Sequence, residues 1–456
     1  MSAGGGGHDL PPFVEREFRT FLGCGVLARG FARVRCAACA FERLVPFSCK
    51  GRGFCPSCGG RRMTGQAAHL IDAVLPRVAV RQWVLSVPYR LRYLLAFDHR
   101  LCRAILRVYV RVLFGFHRRR ARCAGVRDGQ GGVVTVIQRF GGGVNLHVHF
   151  HTLVLEGVFA AAGAGALRFL PLPAPTDEQV ARVLATIHAR VRRLLRQRGL
   201  DPEDPSDGTV DPLAEESPVL AGLASAAVQG RVALGPRAGA RVLQVGRDPD
   251  APWVTSRGHR QATLEGFDLH ADVAVPAGDR ARLESLCRYV LRPPLAQERL
   301  RLTPEGQVLV TLKSRWRDGT THLRFDPVDF LARLAALVPR PRVNLVIYSG
   351  VLAPHARWRA RVVAYGRPDD GDVPGEPDAP GAGSRCGRHW RWADLMRRAF
   401  EIDVLACPQC GGRMELIATI EDPAVVRKIL SHLGLPTETP TTRPARPPPG
   451  DEWRLV

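Results

Sequence analysis

The alternation of apolar and polar positions changes period several times along the chain, and each change marks an element. Residues 82–87 form an apolar, β-prone run closed by Pro88, which predicts a strand. Residues 101–117 repeat apolar side chains three and four apart, the spacing of a helix with one buried face. Two β-branched, alternating runs follow at 133–139 and 144–155. Gly141, Gly142 and Gly143 separate them, and the arrangement predicts a hairpin. Residues 176–199 predict an amphipathic helix with an arginine-rich face, and 201–218 an acidic, proline-rich loop. A strand is expected at 266–275, then a helix opened by Asp279 and ended by Pro293-Pro294. Residues 307–325 predict a second hairpin turning at Asp318-Gly319.

Glycine, proline and cysteine punctuate this pattern into expected domains. A Gly-rich leader covers 1–14, a cysteine-rich domain 15–66 and the main domain 67–330, with an extension at 331–367. A Gly/Pro/Asp linker at 368–384 leads to a small module at 385–436 and a disordered Pro/Thr/Arg tail at 437–456. No apolar run is long enough to span a membrane and no signal peptide opens the chain, so a cytoplasmic protein is expected. In that compartment thiols stay reduced, and the 12 cysteines read as metal ligands or packing residues rather than disulfides.

Charge adds a partner. The 65 Lys and Arg against 43 Asp and Glu leave a net +22, a balance suited to a polyanion. Lys50, Lys313 and Lys428 are the lysines; the remaining cations are arginines, whose planar fork suits bidentate phosphate contacts.

Cys36-x-x-Cys39 and Cys55-x-x-Cys58 are two knuckles fifteen residues apart, the pattern of a four-cysteine structural zinc ribbon, with Cys49 between them as a spare ligand. Lys50, Arg52, Arg61 and Arg62 surround the second knuckle, with Phe47 and Phe54 interleaved. Cations for phosphate and aromatics for base stacking suggest a DNA grip, and a merely solvated face is the alternative. Cys407 and Cys410 resemble half of another ribbon, a candidate second zinc site. Only Cys386, His389 and His432 offer themselves nearby.

The sharpest signal is Asn-Leu-His-Val-His-Phe-His-Thr, residues 145–152. On a strand, His147, His149 and His151 project to one face, while Val148 and Phe150 feed the other. Crowded imidazoles resist protonation but bind a divalent cation in the neutral form, so a metal is expected here. Gln138 and Glu156 are alternatives to His147 as third ligand. Of the six tyrosines, Tyr109 reads as core, Tyr348 and Tyr365 as strand residues, and Tyr89 and Tyr93 as a pair four apart after a strand end. Tyr289 lies on the helix after Asp279, flanked by the phosphate-clamp candidates Arg288 and Arg292.

These motifs resemble the HUH insertion-sequence transposases of the "IS ninety-one" group, including its common-region branch. The resemblance rests on residues 47–58, 82–93, the His149-Phe150-His151 pair and Arg-Tyr-Val-Leu-Arg-Pro-Pro-Leu-Ala, 288–296. It implies an α+β fold: a ferredoxin/RRM-like HUH catalytic domain with an antiparallel sheet, preceded by the zinc ribbon. Tyr289 would form a 5′-phosphotyrosine link in single-stranded DNA at transposon ends and target. His149 and His151 would hold Mg²⁺ or Mn²⁺, separate from the ribbon's Zn²⁺, and the protein would work at the nucleoid. The founding members carry two tyrosines four apart, whereas Pro293 stands at the second position here. A single tyrosine implies either reuse or a partner in a homodimer. Lys313, Arg315 and Arg317 alternate on the late hairpin and would face the DNA backbone, or simply protect an edge strand. Two rival readings are a histidine-triad nucleotide hydrolase, using histidine without metal, and a non-catalytic zinc-ribbon DNA-binding protein.

Overall fold

The computed structural model describes residues 10–163, 165–200, 211–248, 258–316, 318–367, 392–400 and 402–439. Two compact units emerge: residues 1–17 with 52–391, and residues 18–51 with 392–456. The expected linker at 368–384, the tail from 440 and Arg317 lie outside the described residues. So do Cys386 and His389.

The larger unit is built on a seven-stranded sheet. Its order is Val346–Gly350, Gly132–Phe140, Leu146–Leu155, Val80–Ser86, Phe267–His270 and Gln261–Leu264, with Ala274–Val275 also paired to Val80–Ser86. Every pairing is antiparallel. The expected strand at 266–275 is thus two short pieces. The histidine strand is central, and a central strand has both edges hydrogen-bonded and both faces covered.

Alternation decides what each face receives. On one face Phe150 meets Tyr109 with ring centroids 6.2 Å apart, and Trp83 meets Phe116 edge-on at 5.9 Å. Tyr109 and Phe116 belong to the helix His99–Cys123, which starts where the Asp98 carboxylate accepts the N–H groups of Arg100 and Leu101. On the other face Val134, Leu153, Leu155 and Val80 pack against helices Pro56–Ala73 and Arg280–Leu291 through Leu70, Ile71, Leu283 and Cys287. Each fully buried Leu or Val there stabilises by roughly 1.5–3 kcal/mol. Glycine permits the close approach: a Cβ on Gly59 would meet Pro293 Cβ at 2.6 Å.

The hairpin at residues 141–145 departs from expectation in one respect. Its left-handed residue is Val144, at φ 56°, rather than one of the glycines. At Gly141 a Cβ would stand 2.4 Å from Asn145 Oδ1, so a larger residue there would displace that side chain. A β-branched residue in that region is strained, and the strain is held by burial of Val144. The second hairpin forms as expected, Val308–Thr311 against His322–Phe325, within a four-stranded sheet. The helix at 177–196 opens on a full capping box between Thr176 and Gln179. Part of the expected loop at 201–218 is helical instead, over Pro212–Glu216.

The smaller unit joins segments far apart in sequence. Phe31–Cys36 pairs antiparallel with both Glu42–Pro46 and Met414–Ile420 in a three-stranded sheet. Helix Pro423–His432, capped by Asp422, adds Val426 and Leu430 to a small core around Phe31. No helix among the described residues is long and apolar enough to cross a membrane.

Candidate active site

The three histidines stand in a row, as a strand requires. His147 and His149 stack with centroids 4.8 Å apart, and His149 meets His151 at 4.7 Å. The His149 Nδ1–H donates to the carbonyl oxygen of His147 at 2.9 Å, which leaves Nε2 as the lone-pair nitrogen. That Nε2 is 3.0 Å from His151 Nε2, and Gln82 Nε2 lies 2.8 Å from His151 Nδ1. Tautomers close this chain: Gln82 donates to His151 Nδ1, and His151 Nε2–H donates to His149.

Burial removes the charge from all three rings. It is the first cause at each, holding His147 down at about 3, His149 at about 4 and His151 well below its ordinary value. Neighbouring His149 and Arg92 add to the effect at His147. Arg292 and Arg92 add to it at His149, where the His147 backbone opposes. At His151 the further causes are His149, Arg292 and His147. Neutral imidazoles are the form that ligates a metal.

Two observations test whether the donor set fits a divalent ion. Ligands at right angles on an octahedral ion, each at about 2.1 Å, stand about 3.0 Å apart, which is the separation of the two Nε2 atoms. In addition, His147 Nε2 and Gln138 Oε1 are buried with no hydrogen-bond partner. Gln138 is the cross-strand partner of His149 and His147 stacks on it, so both orphaned polar atoms belong to neighbours of the same ring. Glu156 does not belong to this set. Alternation turns it to the opposite face, where its Oε1 receives Arg81 Nε–H at 2.6 Å.

The tyrosine helix comes down beside the row. The rings of Tyr289 and His151 are 5.9 Å apart and nearly perpendicular, at 86°. Tyr289 is 36% exposed, so a macromolecule can reach it. Lys313 Nζ lies 4.1 Å and Arg292 Cζ 4.3 Å from the ring centroid, both in cation–π range. Gln138 Nε2–H donates to Val290 O at 3.2 Å, tying the tyrosine's own turn to the histidine strand. The other tyrosines are engaged elsewhere: Tyr109 is fully buried, Tyr93 donates to Asp211 Oδ2 at 2.5 Å, and Tyr89 has Arg90 over its ring.

Sequence reasoning had not singled out Gln82 or Arg92 for this site. The signal for Gln82 existed in register: it precedes by two Val84, the cross-strand partner of His151, and so shares its face. Arg292 and Lys313 come together at the ring, while Arg288 Nη2 reaches Ser285 Oγ at 3.4 Å. Lys313 and Arg315 are exposed, but the strand ends at Thr311. Their period-two alternation is therefore a feature of a connection, and not of a strand. Arg52 Nη2–H donates to Val343 O at 3.0 Å; Arg61 is exposed on the helix Pro56–Ala73, with Arg62 half-buried beside it. Lys50 is exposed at a left-handed φ of 55°. Phe54 is buried and Phe47 packs over Gly30, so the aromatics expected to stack on bases serve packing.

The cysteines pair differently from the single ribbon expected of Cys36, Cys39, Cys55 and Cys58. Cys36 and Cys39 stand with Cys407 and Cys410, all four Sγ atoms within 4.8 Å of one another. The cause is strand pairing, since Cys36 sits opposite Met414 and brings the late knuckle alongside. Cys55 is the N-cap of helix Pro56–Ala73 and Cys58 lies in its first turn, both buried. In the smaller unit the Cys49 N–H points at Cys24 Sγ, 3.4 Å away.

Comparison with known families gives two matches. The family described as "Putative transposase" matches residues 132–360, which contain the histidine strand, Tyr289 and Lys313. The family described as "Transposase zinc-binding domain" matches residues 3–87. Neither a curated protein nor a solved structure gives a match.

Proposed function

The chain belongs to the transposases, as an "IS ninety-one" type member with an N-terminal zinc-binding region, and from that premise we propose that it cuts and rejoins single-stranded DNA through Tyr289 in rolling-circle transposition. The observation that carries this reading is the edge-on approach of Tyr289 to His151. The phenol stands beside an imidazole row 138 positions away in sequence, and two cations lie over its partly exposed ring.

In the proposed reaction Tyr289 Oη attacks a backbone phosphorus. The P–O3′ bond breaks and a 5′-phosphotyrosine link forms. The departing 3′ oxygen takes up a proton to become a hydroxyl, and the phenol's proton passes to water. One phosphate diester replaces another, so a 3′-hydroxyl attacking the link reverses the step and rejoins a strand. Arg292 and Lys313, both over the Tyr289 ring, would hold the non-bridging oxygens of the attacked phosphate. Mg²⁺ or Mn²⁺, when bound to His149 and His151 with His147 or Gln138 beside them, supplies Lewis-acid polarisation of that phosphate. Neutral histidines and two unpartnered buried polar atoms support such a site.

A central histidine strand in an antiparallel sheet, with the tyrosine helix across its face, supports the finer reading of a ferredoxin/RRM-like HUH fold. With Pro293 at the second tyrosine position, the second transfer falls to the same tyrosine or to a second copy in a homodimer. Lys50, Arg52, Arg61, Arg62, Arg288, Arg315 and Arg317 remain the DNA contacts of this proposal, and the nucleoid its place of action. Cys55 and Cys58 remain proposed zinc ligands of the matched zinc-binding segment.

The decisive experiment incubates the full chain with single-stranded DNA from the transposon end and Mn²⁺, then maps any covalent adduct by mass spectrometry. An adduct at Tyr289 that is lost with chelator is expected. Attachment at Tyr89 or Tyr93 overturns the assignment, and binding without cleavage favours the non-catalytic reading.

A further inference from the structure

We propose that Cys36, Cys39, Cys407 and Cys410 form a four-thiolate zinc site assembled from segments near the two ends of the chain. Half of this site lies outside the segment matched by the zinc-binding family.

The two knuckles are the same turn built twice. The Cys36 N–H donates to Phe41 O at 2.8 Å, and the Cys407 N–H donates to Gly412 O at 2.8 Å, each five residues ahead. The Ala40 N–H donates to Cys36 O at 3.0 Å, and the Gly411 N–H to Cys407 O at 2.9 Å, each four residues back. The residue after the second cysteine is left-handed in both, Ala40 at φ 60° and Gly411 at φ 73°. Alanine rarely takes that conformation, and its presence in one copy points to a constraint beyond local preference. Two such turns aim two thiols each at one point.

Distances between the thiols match an ion and exclude a covalent bond. Cys36 Sγ is 3.5 Å from Cys410 Sγ, and Cys39 Sγ is 3.6 Å from Cys407 Sγ. A disulfide needs about 2.05 Å. Tetrahedral zinc with Zn–S of about 2.3 Å sets its sulfurs about 3.8 Å apart. Gly412 completes the fit. A Cβ there would lie 3.2 Å from both Cys36 Sγ and Cys410 Sγ, and the Gly412 N–H points at Cys410 Sγ, 3.4 Å away.

The unit also has need of a staple. Among the described residues its apolar clusters are small: Phe31, Val426 and Leu430 form one, and Cys36, Cys407 and Met414 with a few half-buried neighbours form another. Cores of that size rarely hold a fold without a metal or disulfide. Zinc at this point would cross-link the strands Phe31–Cys36 and Met414–Ile420 where their pairing begins.

The test measures zinc per chain in the full-length protein by elemental mass spectrometry. The double variant Cys407→Ser/Cys410→Ser should contain one equivalent less than the parent, whatever the parent's total. Cys410→His should keep that equivalent, because imidazole replaces a thiolate. Loaded with cobalt at this site, it should lose about a quarter of the site's sulfur-to-metal absorption, one thiolate of four. Unchanged zinc in the double variant overturns the proposal. So does a cobalt spectrum that ignores Cys410→His, a readout that survives if the serine variant fails to fold. Loss of zinc only through Cys24, Cys49, Cys55 or Cys58 also counts against it.

Discussion

The ring of Tyr289 meets that of His151 edge-on at 5.9 Å, and the Nδ1 of the same imidazole lies 2.8 Å from Gln82 Nε2. One histidine therefore joins the nucleophile candidate to a buried amide hydrogen-bonded at its Nδ1. Metal binding through His151 Nε2 requires the proton to sit on Nδ1. Gln82 accommodates this by turning its amide, so that Oε1 accepts where Nε2 donated.

Replacing Gln82 by Leu removes that acceptor. Mn²⁺ affinity should fall about 10–100-fold, as loss of such supporting partners typically costs, and Gln82→Glu should restore much of it. Calorimetric titration of Mn²⁺ into the two variants checks this. Equal affinity in Gln82→Leu and the parent would remove Gln82 from the site.

The proposed nucleophile and the proposed metal ligands should separate cleanly. Tyr289→Phe keeps the ring against His151 but lacks the oxygen proposed to attack, so covalent adduct should disappear while Mn²⁺ affinity is kept. His149→Ala and His151→Ala should lose both. Parallel adduct gels and metal titrations distinguish the cases, and residual adduct in Tyr289→Phe would point to another tyrosine.

Glu156 has a structural task on the opposite face. Glu156→Ala leaves the Arg81 guanidinium buried with Ala271 O as its remaining short partner, and breaking a buried pair this way costs about 3–5 kcal/mol. Urea denaturation should show the loss, with metal affinity per folded molecule unchanged. A specific loss of metal binding would return Glu156 to the ligand set.

A pH dependence follows from His117, buried on the helix His99–Cys123 with both ring nitrogens unpartnered. Burial, then Arg120 and Arg81, holds it down at about 3. Its folded value lies below the unfolded one near 6.5, so the unfolded chain binds the proton first. The neutral ring costs nothing above pH 6.5, and stability falls as pH drops from there toward 3. The loss is roughly 2 kcal/mol by pH 5. His117→Leu should flatten this part of the profile in denaturation series run from pH 7 to 5. An unchanged slope would place the acid sensitivity elsewhere.

What the sequence determined by itself was local: the histidine strand and its one-sided row, the glycine-spaced hairpin, the Asp279-capped tyrosine helix, and the C-x-x-C knuckles. Each depends on residues within a few positions, where alternation, capping and turn chemistry act directly. The resemblance added the tyrosine's role, and the family matches carry the transposase assignment.

Only tertiary structure decided partnership. Which knuckle meets which depends on pairing between Phe31–Cys36 and Met414–Ile420, strands nearly four hundred residues apart; both knuckles look alike in sequence, and nothing local prefers one partner. Strand register put Gln138 beside His149 and turned Glu156 to the far face, although both are polar and Glu156 is the nearer in sequence. The chain specifies side-chain direction residue by residue. Proximity between remote residues instead comes from packing whole faces together, a sum over many apolar contacts that no single motif contains.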